Sequence, residues 1–166
     1  MSQARVWKYG DDVNTDVIYA GKYTYQQLPP EEMAKHAFED LDPEFARGVN
    51  PGDVVVAGKN FGCGSSREQA AACLRYAGVR AVVAKSFSRI YFRNAINLGL
   101  AVLQSEDAPD ALKTGDAVDI DFASGRILSG GCVFHFYPLP ASVLGIVEAG
   151  GLIEYTKKRL AEKAKG

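Results

Sequence analysis

The chain has 166 residues, of which 47% are hydrophobic and 23% charged, so it can bury a core and is not a disordered protein. Its length suits one compact domain, which we take to span residues 1–166. Nineteen basic and 20 acidic side chains leave a formal net charge of −1, which excludes nucleic-acid binding through clustered Lys and Arg.

The first third of the chain alternates short apolar runs with turn residues. Two prolines followed by two glutamates predict a helix start, because proline is tolerated in the first turn and acidic residues there favour the helix dipole. The predicted elements are, in chain order, a strand over residues 5–9, a turn over 13–19, an exposed loop over 21–27, a helix from Pro29 that ends before Asp42, and one helical turn over 44–47.

The middle of the chain carries the clearest fold pattern. Runs of β-branched residues bounded by turns indicate buried strands, and glycines that end periodic apolar segments indicate helices between them. The predicted order is a strand over residues 54–57, a helix over 66–76, a strand over 79–84, a helix over 90–99 and a strand over 101–103. Repeats of strand and helix predict right-handed crossovers and a parallel sheet.

The last third of the chain changes character. Residues 115–122 alternate apolar and polar side chains, which is typical of a strand with one solvent-exposed face. Short strands over 126–128 and 132–137, then helices over 140–149 and 152–164, complete the prediction. The predicted fold class is therefore α/β, a single domain with a mostly parallel core sheet and added antiparallel strands.

The N-terminal residues and the cysteines bear on location. The N-terminus lacks the apolar centre of a signal peptide, and no run approaches the roughly 20 apolar residues that span a bilayer. Cys63, Cys73 and Cys132 form no CxxC pair and are odd in number, which favours a reducing compartment over a disulfide framework. We therefore expect a cytoplasmic protein that binds neither membranes nor nucleic acid.

The most informative segment follows the strand over residues 54–57 and reads Gly62-Cys63-Gly64-Ser65-Ser66-Arg67-Glu68. Unpaired N–H groups and the positive end of a helix dipole, brought to one point, favour an anion. Ser65 or Ser66 is expected to cap the helix, and Glu68 can complete a capping box with Ser65. Arg67 adds a planar fork that can hold a carboxylate through two hydrogen bonds.

Three common motifs do not match this glycine turn. It lacks the lysine of a P-loop, the GxSxG spacing of a nucleophile elbow and the third glycine of a dinucleotide fingerprint. Cys63 is expected to be a small packing residue, because it has no CxxC partner. The residues of the turn alone leave two interpretations open, an anion site and a tight turn that only starts a well-capped helix.

Several separate segments resemble one known family. The turn resembles the mobile fourth domain of aconitase and, more closely, the free-standing small subunits of 3-isopropylmalate dehydratase and homoaconitase. The similarity runs from about residue 6 to about residue 155 and includes Gly10-Asp11-Asp12-Val13-Asn14-Thr15-Asp16, Ala34-Lys35-His36-Ala37-Phe38-Glu39-Asp40-Leu41-Asp42-Pro43-Glu44-Phe45, Ala84-Lys85-Ser86-Phe87-Ser88-Arg89-Ile90 and Asn94. The resemblance implies the single swivelling β/β/α domain of aconitase-type hydro-lyases.

Enzymes of this family move water between adjacent carbons of a hydroxy-acid through an unsaturated intermediate. The resemblance implies that Ser65 takes the carbon-bound proton as an alkoxide and later returns it, with Asp16 supporting the site. It also implies that Ser66 and Arg67 hold a substrate carboxylate and that Lys22 contacts the carboxylate furthest from the chemistry. The chain itself is expected to bind no metal, because the family's [4Fe-4S] cluster, the Lewis acid for the departing hydroxyl, belongs to a large subunit.

The implied partner is that large subunit, in a heterodimer or heterotetramer, and the implied substrate is a small di- or tricarboxylate hydroxy-acid. Isomerisation of 2- and 3-isopropylmalate in leucine biosynthesis is favoured. Two positions depart from the family pattern: Thr24-Tyr25-Gln26 replaces a common Leu-Arg-Thr, and Gln69 replaces a usual His. Homoaconitate, dimethylmalate, methylmalate and maleate-type substrates therefore stay open, as do an Asx-type turn for Asp16, a solvated loop position for Lys22, and a non-catalytic anion-binding module.

Overall fold

The computed structural model describes residues 3–165, and its elements follow an α/β order. The strands are β1 Ala4–Lys8, β2 Val54–Ala57, β3 Ala81–Ala84, β4 Ala101–Gln104, β5 Ala117–Asp121, β6 Arg126–Ser129 and β7 Cys132–His135. The helices are α1 Thr15–Ile18, α2 Pro30–Lys35, α3 Pro43–Gly48, α4 Gln69–Tyr76, α5 Arg89–Asn97, α6 Ala108–Ala111, α7 Ala141–Ala149 and α8 Leu152–Lys165. A turn of 3₁₀ helix covers Gly21–Tyr23. Among residues 3–165, no helix is both long and apolar enough to cross a membrane.

The strands of residues 3–165 form one sheet in the order β4-β3-β2-β1-β5-β6-β7. Strands β1 to β4 pair in parallel, with Val6 opposite Val54 and Val55 opposite Val82. Strand β5 pairs antiparallel with β1, and β6 and β7 continue that side of the sheet in antiparallel pairs. The prediction of a parallel core sheet with added antiparallel strands is confirmed.

The parallel strands are buried on both faces, which is why their sequences are nearly uniform in Val and Ala. Successive residues of a strand point to opposite faces, so β2 contributes to two core layers. Val55 and Val82 pack in the layer that contains residues of α4 and α5. Val54 and Val83 pack in a second layer with apolar residues of α6 and of the antiparallel strands.

The helix predicted to end before Asp42 is shorter than expected, because α2 ends at Lys35. Phe38 takes a left-handed φ of +54°, and its N–H donates to the Ile18 carbonyl at 2.9 Å. The Phe38 ring is fully buried and stacks on Tyr9, with 4.4 Å between ring centroids. These long-range contacts override the local helical pattern.

The helix after the glycine turn begins later than predicted. Helix α4 starts at Gln69 rather than at Ser66, and its N-cap residue Glu68 makes no side-chain capping bond. The predicted caps at Ser65 or Ser66, and the capping box through Glu68, are therefore wrong. The Ser65 hydroxyl instead contacts other side chains, as described below.

The remaining predicted strands and helices are present, with ends shifted by at most two residues. The predicted turn around Asn14 contains the short helix α1, for which Asn14 is the N-cap. Helix α6 is missed by the sequence pattern, because four residues are too few to show a helical period.

Asp53 ties the start of β2 to β1. It is a buried residue, 1% exposed. Its Oδ1 accepts from the Arg5 N–H at 3.0 Å, and its Oδ2 accepts from the Trp7 indole N–H at 3.0 Å and the Asn50 N–H at 2.9 Å. The carboxylate thereby satisfies three donors that the protein has removed from bulk water.

Replacing Asp53 with Ala should lower the free energy of unfolding by about 2–3 kcal/mol, because donors in the interior lose their acceptor. Urea denaturation followed by circular dichroism measures the change. Asp119→Ala is the control, since that side chain is 69% exposed and its loss should cost less than about 0.5 kcal/mol. Equal effects of the two substitutions would contradict the role of Asp53.

Candidate active site

The candidate site lies where the chain leaves the parallel strands β1 and β2 at their carboxyl ends. Backbone pairing continues beyond the strands: the Gly62 N–H donates to the Val13 carbonyl at 2.7 Å, and the Thr15 N–H donates to the Cys63 carbonyl at 2.8 Å. Residues 14–16 therefore lie against the glycine turn. This edge of a parallel sheet is where α/β proteins commonly bind ligands.

Two glycines give the turn its shape. Gly62 and Gly64 have φ angles of +80° and +102°, in the left-handed region that favours glycine. A Cβ on Gly62 would overlap Cβ and Cγ of Tyr91 in α5, and a Cβ on Gly64 would lie 3.3 Å from Thr15 Oγ1. The turn is thus packed against α5 at one glycine and against α1 at the other.

Ser65 makes hydrogen bonds with two side chains. Its Oγ lies 3.0 Å from Thr15 Oγ1, and Arg67 Nε donates to it at 2.8 Å. Thr15 is 2% exposed, whereas Ser65 is exposed. The serine oxygen therefore has a cation and a second hydroxyl within hydrogen-bond distance and remains accessible to a ligand.

Arg67 connects the turn to two other segments. Its Nη1 donates to Thr24 Oγ1 at 2.9 Å, and its Nη2 donates to Asp16 Oδ1 at 3.4 Å. Asp16 Oδ1 also accepts from the Gly21 N–H at 2.8 Å. The Arg67 side chain is 17% exposed and that of Asp16 72%, so water weakens this ion pair and its main effect is to orient the guanidinium.

These side chains line an open cavity of about 520 Å³, a volume that suits a small organic ligand. The cavity brings together three of the predicted site residues, Asp16, Ser65 and Arg67, from separate parts of the chain. Its lining consists of Asn14, Thr15, Asp16, Gly21, Thr24, Tyr25, Gly64, Ser65 and Arg67.

The other two predicted site residues, Ser66 and Lys22, are not part of the cavity lining. Ser66 is exposed, and its carbonyl accepts from Asn94 Nδ2 of α5 at 3.1 Å. Lys22 Nζ lies 4.0 Å from the Glu39 carboxylate and 5.3 Å from the centroid of the Tyr23 ring. Contacts of Ser66 and Lys22 with a substrate remain predictions.

Sequence reasoning misses two neutral residues of the site, Thr15 and Thr24. Thr24 accepts from Arg67 through its hydroxyl, and its carbonyl accepts from Gln69 Nε2 at 3.3 Å. The unusual residue at position 69 therefore holds the loop that orients the arginine. Thr15 could have been found from its place in the polar triplet 14–16, whereas Thr24 carries no motif.

Residues 3–165 contain no group of His, Cys, Asp and Glu side chains that could hold a metal ion. Cys63 lies partly exposed in the turn, Cys73 is buried in α4, and Cys132 is exposed in β7. Three cysteines in separate elements do not fit a [4Fe-4S] cluster, which needs converging thiolates. Burial raises the pKa of the Cys73 thiol, which favours a protonated packing residue.

Known proteins share this arrangement of sheet and motifs. A family model described as the aconitase C-terminal domain matches residues 10–108. The 3-isopropylmalate dehydratase small subunit of Heliobacterium modesticaldum is 48% identical over 160 residues, covering 95% of this chain and 96% of that protein. The 3-isopropylmalate dehydratase small subunit 1 of Archaeoglobus fulgidus is 51% identical over 162 residues, covering 96% and 99%. The crystal structure of 3-isopropylmalate dehydratase from Methanocaldococcus jannaschii has a TM-score of 0.91 and 43% identity, covering 99% of this chain and 98% of that one.

The mixed sheet, the glycine turn and the family model define the class of protein as an aconitase C-terminal domain. Nearly complete coverage of both chains at about half identity narrows that class. The chain belongs to the family of 3-isopropylmalate dehydratase small subunits. The resemblance stated from the motifs is thereby confirmed.

Replacing Gly62 with Ala should lower the free energy of unfolding by about 2–5 kcal/mol, because a left-handed φ and an overlap with Tyr91 both add cost. Gly115→Ala is the matched control, since its φ of +96° is similar but a Cβ there meets nothing within 4 Å. It should cost only about 1–2 kcal/mol. Urea denaturation measures both, and equal losses would contradict tight packing of the turn on α5.

Proposed function

We propose that this chain is the small subunit of a hydro-lyase that interconverts 2-isopropylmalate and 3-isopropylmalate by dehydration and rehydration, in leucine biosynthesis. The proposal is supported by relatives named for that enzyme, which match nearly end to end. The observation that carries it at residue level is the 2.8 Å contact between Arg67 Nε and Ser65 Oγ in the wall of an open cavity.

Ser65 is the proposed catalytic base. As an alkoxide it takes the proton from the carbon next to the one that bears the hydroxyl; the C–H electron pair forms the double bond, and hydroxide departs. In rehydration the Ser65 hydroxyl gives its proton to the carbon that lost the hydroxyl, and hydroxide adds to the carbon that lost the proton. A serine hydroxyl is a weak acid, so its anion needs a donor with positive charge, which Arg67 supplies.

Arg67 has a second proposed role as a carboxylate ligand. It uses N–H groups on Nε, Nη1 and Nη2 for Ser65, Thr24 and Asp16. A guanidinium has five N–H donors, so two remain for a substrate carboxylate. Asp16 supports the site in this proposal by fixing both the guanidinium and the Gly21 N–H.

Ser66 and Lys22 complete the proposed grip on the substrate. Ser66 is exposed between the base and Arg67 in sequence, so its hydroxyl can donate to the same carboxylate as the arginine. Lys22 lies on the 3₁₀ turn that begins at the cavity residue Gly21, and its side chain is 63% exposed. Its flexible stem lets the ammonium exchange the Glu39 carboxylate for the distal carboxylate of the substrate.

A large subunit is the proposed partner, in a heterodimer or heterotetramer. In this proposal the partner carries a [4Fe-4S] cluster, which supplies a Lewis acid for the departing hydroxyl. The cysteines of this chain are dispersed over three elements, which supports placing the cluster elsewhere and leads us to expect no activity from the chain alone. Free thiols also favour the reducing cytoplasm as the location.

Replacing Ser65 with Ala should lower kcat at least about 100-fold in the assembly with the large subunit, because the base is lost. KM should change by less than about threefold, since the carboxylate ligands remain. Steady-state rates of 3-isopropylmalate formation from 2-isopropylmalate measure both constants, and co-purification checks that the assembly forms.

The control for this substitution is Ser142→Ala, which removes an exposed hydroxyl from α7, outside the cavity lining. It should keep the turnover of the unmodified chain. Unreduced turnover with Ser65→Ala would remove Ser65 from the role of base. No complex and no hydration of any candidate diacid by the unmodified pair would reject the enzyme altogether and favour an anion-binding module.

A further inference from the structure

Thr15 is a buried polar residue whose hydroxyl faces Ser65. The residue is 2% exposed, and its Oγ1 lies 3.0 Å from Ser65 Oγ. Within residues 3–165 this hydroxyl has no other hydrogen-bond partner. The backbone of Thr15 is engaged elsewhere, because its N–H donates to the Cys63 carbonyl at 2.8 Å and its carbonyl accepts from the Tyr19 N–H at 2.9 Å.

Counting hydrogens fixes the direction of the Thr15–Ser65 bond when Ser65 is deprotonated. Arg67 Nε can only donate to Ser65 Oγ, because a guanidinium has no acceptor. An alkoxide oxygen has no hydrogen and can only accept. The hydrogen in the 3.0 Å contact must then come from the Thr15 hydroxyl.

We propose that Thr15 is a positioning residue that stabilises the Ser65 alkoxide by donating a second hydrogen bond to it, beside the bond from Arg67. The inference rests on the proposed function, in which Ser65 is the base. Thr15 keeps its own proton throughout, so no covalent bond forms or breaks on it. The two donors are aimed at the oxygen whose charge changes during the reaction, an arrangement that favours the charged form.

The fold holds the Thr15 hydroxyl in place before any substrate binds. Thr15 is the first residue of α1, whose N-cap Asn14 accepts from the Val17 N–H at 2.9 Å. A β-branched side chain has few rotamers, which limits the positions of its oxygen. Gly64 leaves room for that oxygen, because a Cβ there would lie 3.3 Å from Oγ1. Little reorganisation is therefore needed when the proton moves.

Packing alone does not account for a threonine at this position. Valine has nearly the same shape and fills buried positions throughout the neighbouring strands. A buried hydroxyl is costly unless it has a hydrogen-bond partner. The partner that Thr15 has is the hydroxyl of the exposed Ser65, so the bond serves the site more than the core.

The test uses four versions of the chain, unmodified, Ser65→Ala, Thr15→Val and Thr15→Ser, each assembled with the large subunit. The substrate is 2-isopropylmalate with either hydrogen or deuterium at the carbon that loses its proton. We expect Thr15→Val to lower kcat about 10- to 100-fold, as for loss of one hydrogen bond to a charged group. KM should stay within about twofold, because no substrate contact is removed.

Two further readouts distinguish this role from a structural one. The deuterium isotope effect on kcat of Thr15→Val should be at least as large as that of the unmodified chain, because proton transfer is the step that slows. Thr15→Ser restores a hydroxyl and should recover most of the rate. Thr156→Val is the control, since it removes an exposed hydroxyl in α8, outside the cavity lining, and should keep the full rate.

Each outcome bears on the proposal. If Thr15→Val does not fold, as judged by thermal unfolding, Thr15→Ala takes its place with the same expected loss. An unchanged kcat in the folded variant, an isotope effect below that of the unmodified chain, or a Thr15→Ser variant as slow as Thr15→Val would overturn the role of Thr15 and leave Ser65 as the base. Full activity of Ser65→Ala would overturn the proposed function, and the role of Thr15 with it.

Discussion

Backbone hydrogen bonds between the segment after β1 and the segment after β2 hold the candidate site together. They extend past both strands, from the bond between Gly58 N–H and the Gly10 carbonyl at 3.0 Å to that between Thr15 N–H and the Cys63 carbonyl at 2.8 Å. Because the strands are parallel, both segments leave the sheet at one edge. One brings a carboxylate and a buried hydroxyl, and the other brings the exposed serine with its arginine. The site thus depends on the register of two neighbouring strands rather than on one motif.

The site concentrates its positive charge in one side chain. Arg67 is 17% exposed and is held by Ser65, Thr24 and Asp16, so its position is fixed by partners from three segments. Its acidic partner lies at 3.4 Å and is 72% exposed, and water screens an exposed charge more than a buried one. The guanidinium therefore keeps much of its positive field for the serine oxygen and for an anionic ligand. A net charge of −1 over the whole chain does not oppose this local effect.

Local patterns were sufficient for the sheet because Val and Ala runs buried on both faces can form little else. They were insufficient wherever a distant residue decides the conformation. The left-handed Phe38 ends its helix early because its ring is needed in the core, and α4 begins at Gln69 because the serine before it bonds outside the helix. The same reason hides part of the site: Ser65 and Arg67 belong to a compact motif, but their hydroxyl partners Thr15 and Thr24 lie 50 and 43 residues away in sequence.

A crystal structure of the assembly, with the large subunit and a bound hydroxy-diacid, tests most directly whether the glycine turn meets the substrate. We expect Ser65 Oγ to lie within about 3.5 Å of the carbon that loses its proton, as a reacting pair requires. We also expect the Arg67 guanidinium to bind a substrate carboxylate, and the same structure would show whether Lys22 reaches the other one. A diacid bound away from Ser65, with the turn facing solvent, would contradict the assignment of this turn to catalysis.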